Sequence, residues 1–353
     1  MIRSRSAALL VLAASALPLT AQEPAAAAQS GAKHTLKVGA KKGAKERFVV
    51  TSSQTTVLES MGGQEQGNEQ VSELEAEVLE VSEAGELTVR VTWKNVRGKM
   101  TSMMGEMAYD SAKPETAEED PTGGLVGAMI ALANKSVQAI VASNGEIKEV
   151  KGLKELSDEI GKSLEGPAKM MAQGAISESA LKRQFSLFGS FPSEPVAVGG
   201  TWSRKDDAAA NRGAMKMKVE SALKLEEANA ERYVISLAGK IESLPAEAPK
   251  EGEDEASGAM RNMMANAKVS NGKVEGKATI SRKDGMVVSS VTNTTMDITM
   301  DNPMGGDEPF KVVVKQLNKV ERASAAAAAR PQTKDPVRPE AKKDAEPAKN
   351  ADK

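Results

Sequence analysis

The sequence predicts a mainly β protein with a few helices: a curved antiparallel sheet, a half-barrel, built from two duplicated meander halves with helices packed on the concave face. Three observations lead there. Apolar and polar residues alternate with period two along most of the chain, Gly-containing turn pairs punctuate that alternation, and helical periodicity is concentrated in a mid-chain segment.

The chain opens on an export leader, residues 1–21. Arg3 and Arg5 are its basic region, and Ala7 to Leu17 form an apolar stretch too short to span a bilayer. Pro18 breaks that stretch, and the small residues before Gln22 place cleavage near Ala21. Residues 22–33 are Ala-rich without periodicity and read as a disordered spacer. Residues 34–152 form the first meander half. Leu87, Val89, Val91 and Trp93 alternate there with Thr88, Arg90, Thr92 and Lys94, giving a strand with one buried and one wet face. A short helix is expected around Gly124 to Ala133.

Residues 153–190 are the helical connector. Leu153, Leu156, Ile160 and Leu164 fall on one stripe ended by Gly166-Pro167, and Leu181, Phe185 and Phe188 make a second stripe with Ser177 as its N-cap. Residues 191–322 form the second meander half, where Met215, Met217 and Val219, then Met296, Ile298 and Met300, alternate with polar residues. Ala84-Gly85, Asn144-Gly145, Asn271-Gly272 and Asp284-Gly285 are read as tight turns, since such pairs supply the positive φ a hairpin demands. Elements recur in the same order at offsets drifting from 160 to 140 residues, which reads as a degenerate duplication. Residues 323–353 begin with an alanine run, continue in Pro, Lys, Glu and Asp, and are expected to stay disordered.

Composition narrows the function classes. The chain has no cysteine, so disulfides, thiolate metal sites and a lipid-modified cysteine are excluded. Lys plus Arg total 47 against 49 acids, and an interspersed, nearly neutral balance argues against nucleic acid as a partner. No later apolar run is long enough to span a membrane. The expected location is periplasmic or extracellular, with a soluble mature chain.

Three ordered segments carry a family likeness. Met104-Gly105-Glu106-Met107-Ala108-Tyr109-Asp110-Ser111, the hairpin Asn144 to Leu153, and Pro195-Val196-Ala197-Val198-Gly199-Gly200-Thr201-Trp202 together resemble a family of exported bacterial envelope proteins known only as a domain of unknown function. Gly200-Thr201 stands where that family often has Asp-Ser. The resemblance covers about residues 34 to 322 and implies a curved antiparallel β fold in the envelope, without an activity.

No catalytic residue is predicted. His34 is the sole histidine and has no nucleophile motif to activate, so it is read as a surface residue. Asp110 is read as bonding turn amides. The acidic runs 115–120 and 251–255 lack calcium-loop spacing and read as solvated loops. Eighteen methionines against five Phe, two Tyr and two Trp are the compositional oddity. Met100, Met103, Met104 and Met107 cluster, echoed by Met260, Met263 and Met264, with Met170-Met171 between them. Thioethers are soft copper(I) ligands, but Met also serves as adaptable apolar filler, and filler is preferred here. No cofactor is expected.

The first functional expectation is a non-enzymatic envelope protein that binds a lipid or other apolar ligand in a cavity lined by Trp202, Leu156, Ile160, Phe185, Met103 and Met107. A scaffold that recognises an envelope protein and holds no ligand is the second. Methionine-based copper(I) binding comes third.

Overall fold

Alternating segments become long strands joined by short turns, and the resulting meander runs once around an open sheet. The computed structural model describes residues 31–102, 105–114, 125–162, 176–185, 187–210, 215–244, 266–302 and 308–323. Outside them lie residues 1–30 and 324–353, Leu164 and Gly166-Pro167, both acidic runs, and Met103, Met104, Met170, Met171, Met260, Met263 and Met264.

The first half contributes β1 (Lys45–Leu58), β2 (Gln64–Val81), β3 (Leu87–Ser102), β4 (Gly105–Asp110), β5 (Ser136–Val141) and β6 (Ile147–Lys151). The second contributes β7 (Thr201–Ala210), β8 (Met215–Ala228), β9 (Arg232–Leu244), β10 (Lys268–Ser281), β11 (Val287–Met300) and β12 (Phe310–Arg322). Three described α-helices, α1 (Leu125–Ala131), α2 (Leu153–Gly161) and α3 (Glu178–Gln184), and a 3-10 turn at Glu59–Met61 complete the described elements. All pairings are antiparallel, in the order β6-β5-β3-β2-β1-β12-β11-β10-β9-β8-β7, with β4 also on β3. The first and last strands therefore pair, Phe48 opposite Arg322 and Leu58 opposite Val312, while mid-chain β6 and β7 are the edges. The sheet does not close.

Curvature follows from two consecutive residues. Val38 N–H donates to Ser143 O (2.8 Å) beside the β5–β6 turn, and Gly39 N–H donates to Asp284 O (3.0 Å) in the β10–β11 turn. In a flat sheet those turns would stand at least five strand spacings apart, roughly 24 Å. Residues 38 and 39 can reach both only because the sheet curls. The connector repeats the bridge: Gly189 N–H donates to Gly285 O and Phe191 N–H to Asn144 O.

Inside the curl at this end lies the main core. Phe48, Leu74, Val89, Val91 and Trp93 meet Leu223, Leu225, Ile235 and Ile280, with Leu156, Ile160, Leu181 and Phe185 from the helices. Trp93 and Phe185 stack at 5.4 Å, tilted by 48°. The expected strand faces hold, with Trp93, Met296, Ile298 and Met300 all buried.

Two expectations are corrected. Asn271-Gly272 does not end a strand. It sits inside β10, where Asn271 takes φ 52° and the register slips between Ser270 and Lys273, so the pair makes a bulge. A Cβ on Gly272 would collide with Ile241 O of the neighbouring strand, which is why glycine stands there. The connector is not helical throughout 153–190: α3 ends at Gln184, and Phe188 forms an isolated bridge with Met286. Phe188 is buried by extended backbone, and its helical spacing from Leu181 is coincidental.

Candidate functional site

Leu156 and Ile160 turn inward and are buried, and Phe185 is wholly buried against Trp93. These three expected lining residues belong to the core cluster at the end closed by helices. An open groove of about 440 Å³ runs beside α2, bordered by Val150, Leu153, Glu155, Asp158, Ile176 and Ser177. Trp202 lies half-buried against the same core, its indole N–H donating to Ser190 O (3.2 Å). Met107 pairs directly with Met100 across β3 and β4, both half-buried on the core's margin. The structure thus brings Met100 and Met107 together, and the rest of that methionine cluster falls outside the described residues.

The signature-like segments fold into structural joints. Gly98 leaves room for Tyr109 opposite it: a Cβ there would stand 2.5 Å from both Tyr109 Oη and Glu69 O. Burial pushes the Tyr109 hydroxyl pKa up to about 12. Asp110 Oδ1 accepts from Ala112 N–H (2.9 Å), the turn role read from the sequence. Ser111 Oγ accepts from Val96 N–H (2.9 Å) and donates to Asn95 Oδ1, tying the end of β4 to the irregular middle of β3. In the second segment Val196 exchanges both backbone hydrogen bonds with His34. Gly199, at φ 86°, donates to Leu225 O in the turn that leads into β7. His34 is half-buried in that bridge, with its ring 6.0 Å from that of Tyr233.

Beyond the helix-covered end, the inner face stays accessible, and it has a chemistry of its own. Register places residues in rows that cross four strands, β2, β1, β12 and β11. One row reads Gln70, Ser52, Asn318, Thr292, and the next Asn68, Gln54, Gln316, Thr294. Gln54 and Asn68 are exposed and the other six are half-buried. Same-strand pairs bond to one another: Gln54 Nε2 donates to Thr56 Oγ1 (3.3 Å), Gln70 Nε2 to Ser72 Oγ (3.0 Å) and Gln316 Nε2 to Asn318 Oδ1 (3.4 Å). Farther along the strands the rows turn apolar. Thr56, Val314 and Met296 come first, then Leu58, Val312 and Ile298. Met296, Val312 and Ile298 form a second buried cluster with Ile241, Val274 and Met300, with Leu58 and Val314 half-buried against it.

The two faces of these strands differ in charge. Between the Phe48–Arg322 row and the Leu58–Val312 row, no charged side chain points inward from β1, β2, β11 or β12. Outward positions of the same sheet carry Glu69, Glu73, Glu75 and Glu77 on β2 and Lys315, Lys319 and Glu321 on β12. Lys45, Arg47, Arg90 and Arg97 pair with the β2 acids at 3.1 to 3.6 Å. The sequence reading missed this neutral belt. Its signal was present in β2, where Gln66, Asn68, Gln70 and Ser72 alternate with Glu65, Glu69 and Glu73.

Residues 84–287 match the family model described as DUF6263, a family of unknown function. The chain belongs to the DUF6263 family. The match bears out a family of unknown function over residues 84–287, and the curved antiparallel sheet that the resemblance implied is the one observed. No curated protein matches this DUF6263 chain. Among solved structures, lipovitellin, described in terms of its lipid–protein interactions, is 11% identical over 83% of this chain and 26% of its own, with a TM-score of 0.45. This chain therefore spans about a quarter of lipovitellin's length. DynF from the dynemicin biosynthesis pathway of Micromonospora chersina is 5% identical over 81% and 84% of the two chains, at 0.19. A domain described as an outer-membrane lipoprotein-sorting protein of Vibrio parahaemolyticus is 10% identical over 79% and 86%, at 0.16. At these scores the likenesses carry no functional conclusion. Among the described residues no helix is long and apolar enough to cross a membrane.

Proposed function

We propose that the chain is an exported, non-enzymatic envelope protein that holds an apolar or lipid-like ligand against the inner face of its open sheet. One observation carries the reading: on β1, β2, β11 and β12 the accessible part of that face bears no charge and runs toward a buried apolar cluster around Met296, Ile298 and Val312. A face to be covered by apolar matter avoids a large desolvation cost by carrying no charge. The leader-like residues 1–21 support export.

The test is extraction of the full chain, purified without detergent, with organic solvent and mass spectrometry of the extract. A stoichiometric lipid is expected, together with displacement of an apolar fluorescent dye when that lipid is added back. A protein that yields no lipid and binds no dye ends the reading.

A scaffold that works by protein contact is the second reading, favoured by β6 and β7 ending the sheet as edge strands. In-cell cross-linking through residues placed in β6 or β7 would then trap one defined envelope protein.

A further inference from the structure

We infer that the outer face of β10, β11 and β12 rests on a bilayer surface rich in anionic lipid, its lysines on the phosphates and Val291 and Leu317 among the head groups. The inference concerns the convex face and stands apart from the ligand reading of the inner one.

Alternation with the buried Met296, Ile298, Met300 and Val312 turns the intervening side chains outward. There β10 carries Lys268, Lys273 and Lys277, and β12 carries Lys311, Lys315 and Lys319. Register aligns the two columns row by row across Thr299, Thr295 and Val291 of β11. The bulge at Asn271-Gly272 matters here, because it lets Lys268 and Lys273 share a face although five positions separate them. The outward acids of these strands are Glu275, Asp297 and Glu321, three against six lysines. Two of the three are engaged: Asp297 accepts from Asn271 Nδ2 (2.7 Å), and Glu321 pairs with Lys319 at 3.0 Å.

Elsewhere the same sheet neutralises its outer face. On β2, Glu73, Glu75 and Glu77 are matched by Arg97, Arg47, Lys45 and Arg90. On β10 the reverse holds, with Lys273 directly opposite Lys240 of β9. Like charges placed so are destabilising. Among the described residues no carboxylate stands within ion-pair distance of Lys240, Lys268, Lys273, Lys311 or Lys315. Solvation alone is served by either sign of charge, whereas a one-sign field suits an anionic partner.

Shape and apolarity select a membrane. The sheet curls across its strands, so its convex face meets a plane along a strip only a few strands wide. The lysine columns supply such a strip, roughly 10 Å wide and 27 Å long. Val291 and Leu317, exposed by 38% and 37%, lie diagonally across β11 and β12 among Lys277, Lys315 and Lys319. A soluble polyanion offers those two side chains nothing. The head-group zone of a bilayer accepts apolar side chains together with lysine ammonium groups.

Co-sedimentation of the full chain is measured with vesicles of phosphatidylcholine alone and of phosphatidylcholine mixed with phosphatidylglycerol. Residues 1–21 are common to all variants, so differences between variants report the patch. The mixed vesicles are expected to bind at least about tenfold tighter, with the gain shrinking as salt rises. A lysine near an anionic surface contributes about fivefold, so Lys273→Thr with Lys315→Thr should weaken that binding roughly thirtyfold. Threonine favours strands, which keeps the variant folded. Lys41→Thr with Lys42→Thr removes equal charge from exposed positions ahead of β1 and should change binding by less than about twofold. Val291→Thr with Leu317→Thr should weaken vesicle binding at least about threefold. Equal binding of the two vesicle types, or a Lys273 and Lys315 pair that matters no more than Lys41 and Lys42, overturns the inference. Displacement from vesicles by soluble polyphosphate, with no effect of the Val291 and Leu317 changes, assigns the patch to a polyanion and overturns it too.

Discussion

Arg322, the last residue of β12, and Asp284, in the turn between β10 and β11, form a two-pronged ion pair at 2.9 and 3.0 Å with both side chains largely buried. The guanidinium also donates through Nε to Val287 O (3.1 Å) and lies 5.7 Å from the Phe48 ring centroid. Asp284 Oδ1 accepts in addition from Met286 N–H (3.0 Å). This one pair fastens the sheet's central seam to the turn on which residues 37–39 rest, so the closed end depends on it.

Removing one partner should leave the other buried and unmatched. Arg322→Ala is predicted to cost about 3 kcal/mol in urea unfolding, and Asp284→Asn a similar amount. The double variant should cost clearly less than the sum, because the pair is one interaction. Additive losses would show that the two side chains act separately.

The same pair sets an acid limit. Burial raises the Asp284 pKa, but the Arg322 hydrogen bonds, the Met286 amide and the Arg322 charge outweigh it and hold the carboxyl below its usual range. A depressed carboxylate stabilises the fold above its unfolded pKa of about 4 and loses that contribution as pH falls through the folded value. Melting temperature should therefore drop more steeply below about pH 4 in the native chain than in Asp284→Asn.

Tyr109 gives the alkaline counterpart. Its hydroxyl ionises only near 12 in the folded chain, against 10.0 for a free tyrosine. The folded state disfavours the phenolate, so this group's contribution is intact below pH 10, declines as pH rises past it and levels off above about 12. Absorbance titration should show a late tyrosine step that Tyr109→Phe removes.

Gly145 tests the curl directly. It holds φ 85° in the β5–β6 turn, and a Cβ there would overlap Gly189 O of the connector. Gly145→Ala should cost at least about 2 kcal/mol, combining left-handed strain with the clash. Gly199→Ala, also at positive φ but with open space around its Cβ, should cost only the strain. Urea midpoints of the two variants separate curvature from turn chemistry.

Strand faces were legible because one side of each strand is apolar, and Trp93 or Met296 announces its burial by alternation alone. The bulge at Asn271-Gly272 was not, because the same pair serves a hairpin or a bulge and only the length of pairing on either side decides. Nor was Phe188 legible: its spacing from Leu181 fits a helix, while its burial comes from a bridge to Met286 nearly a hundred residues away. The lining expected from Leu156, Ile160 and Phe185 came from helical stripes, and an apolar stripe looks the same whether it borders a cavity or fills a core. The neutral belt needed the register, since Gln54, Gln316 and Asn68 become one surface only once β1 is known to lie between β2 and β12.

Trp93 and Phe185 offer a last contrast. Both are fully buried and stacked, yet among the described residues the Trp93 indole N–H has no acceptor. Burying an unmatched donor costs about 1–3 kcal/mol, so Trp93→Phe releases that cost while losing some packing. The two effects should nearly cancel, leaving a change within about 1 kcal/mol. Phe185→Ala has no such relief and should cost about 3–5 kcal/mol, the usual range for an emptied aromatic site. Because Phe185 belongs to the core beneath α3 and not to the belt, its loss should also leave apolar-probe affinity unchanged in whatever fraction stays folded. If Trp93→Phe cost more than Phe185→Ala, the indole nitrogen would have to hold a partner within that core.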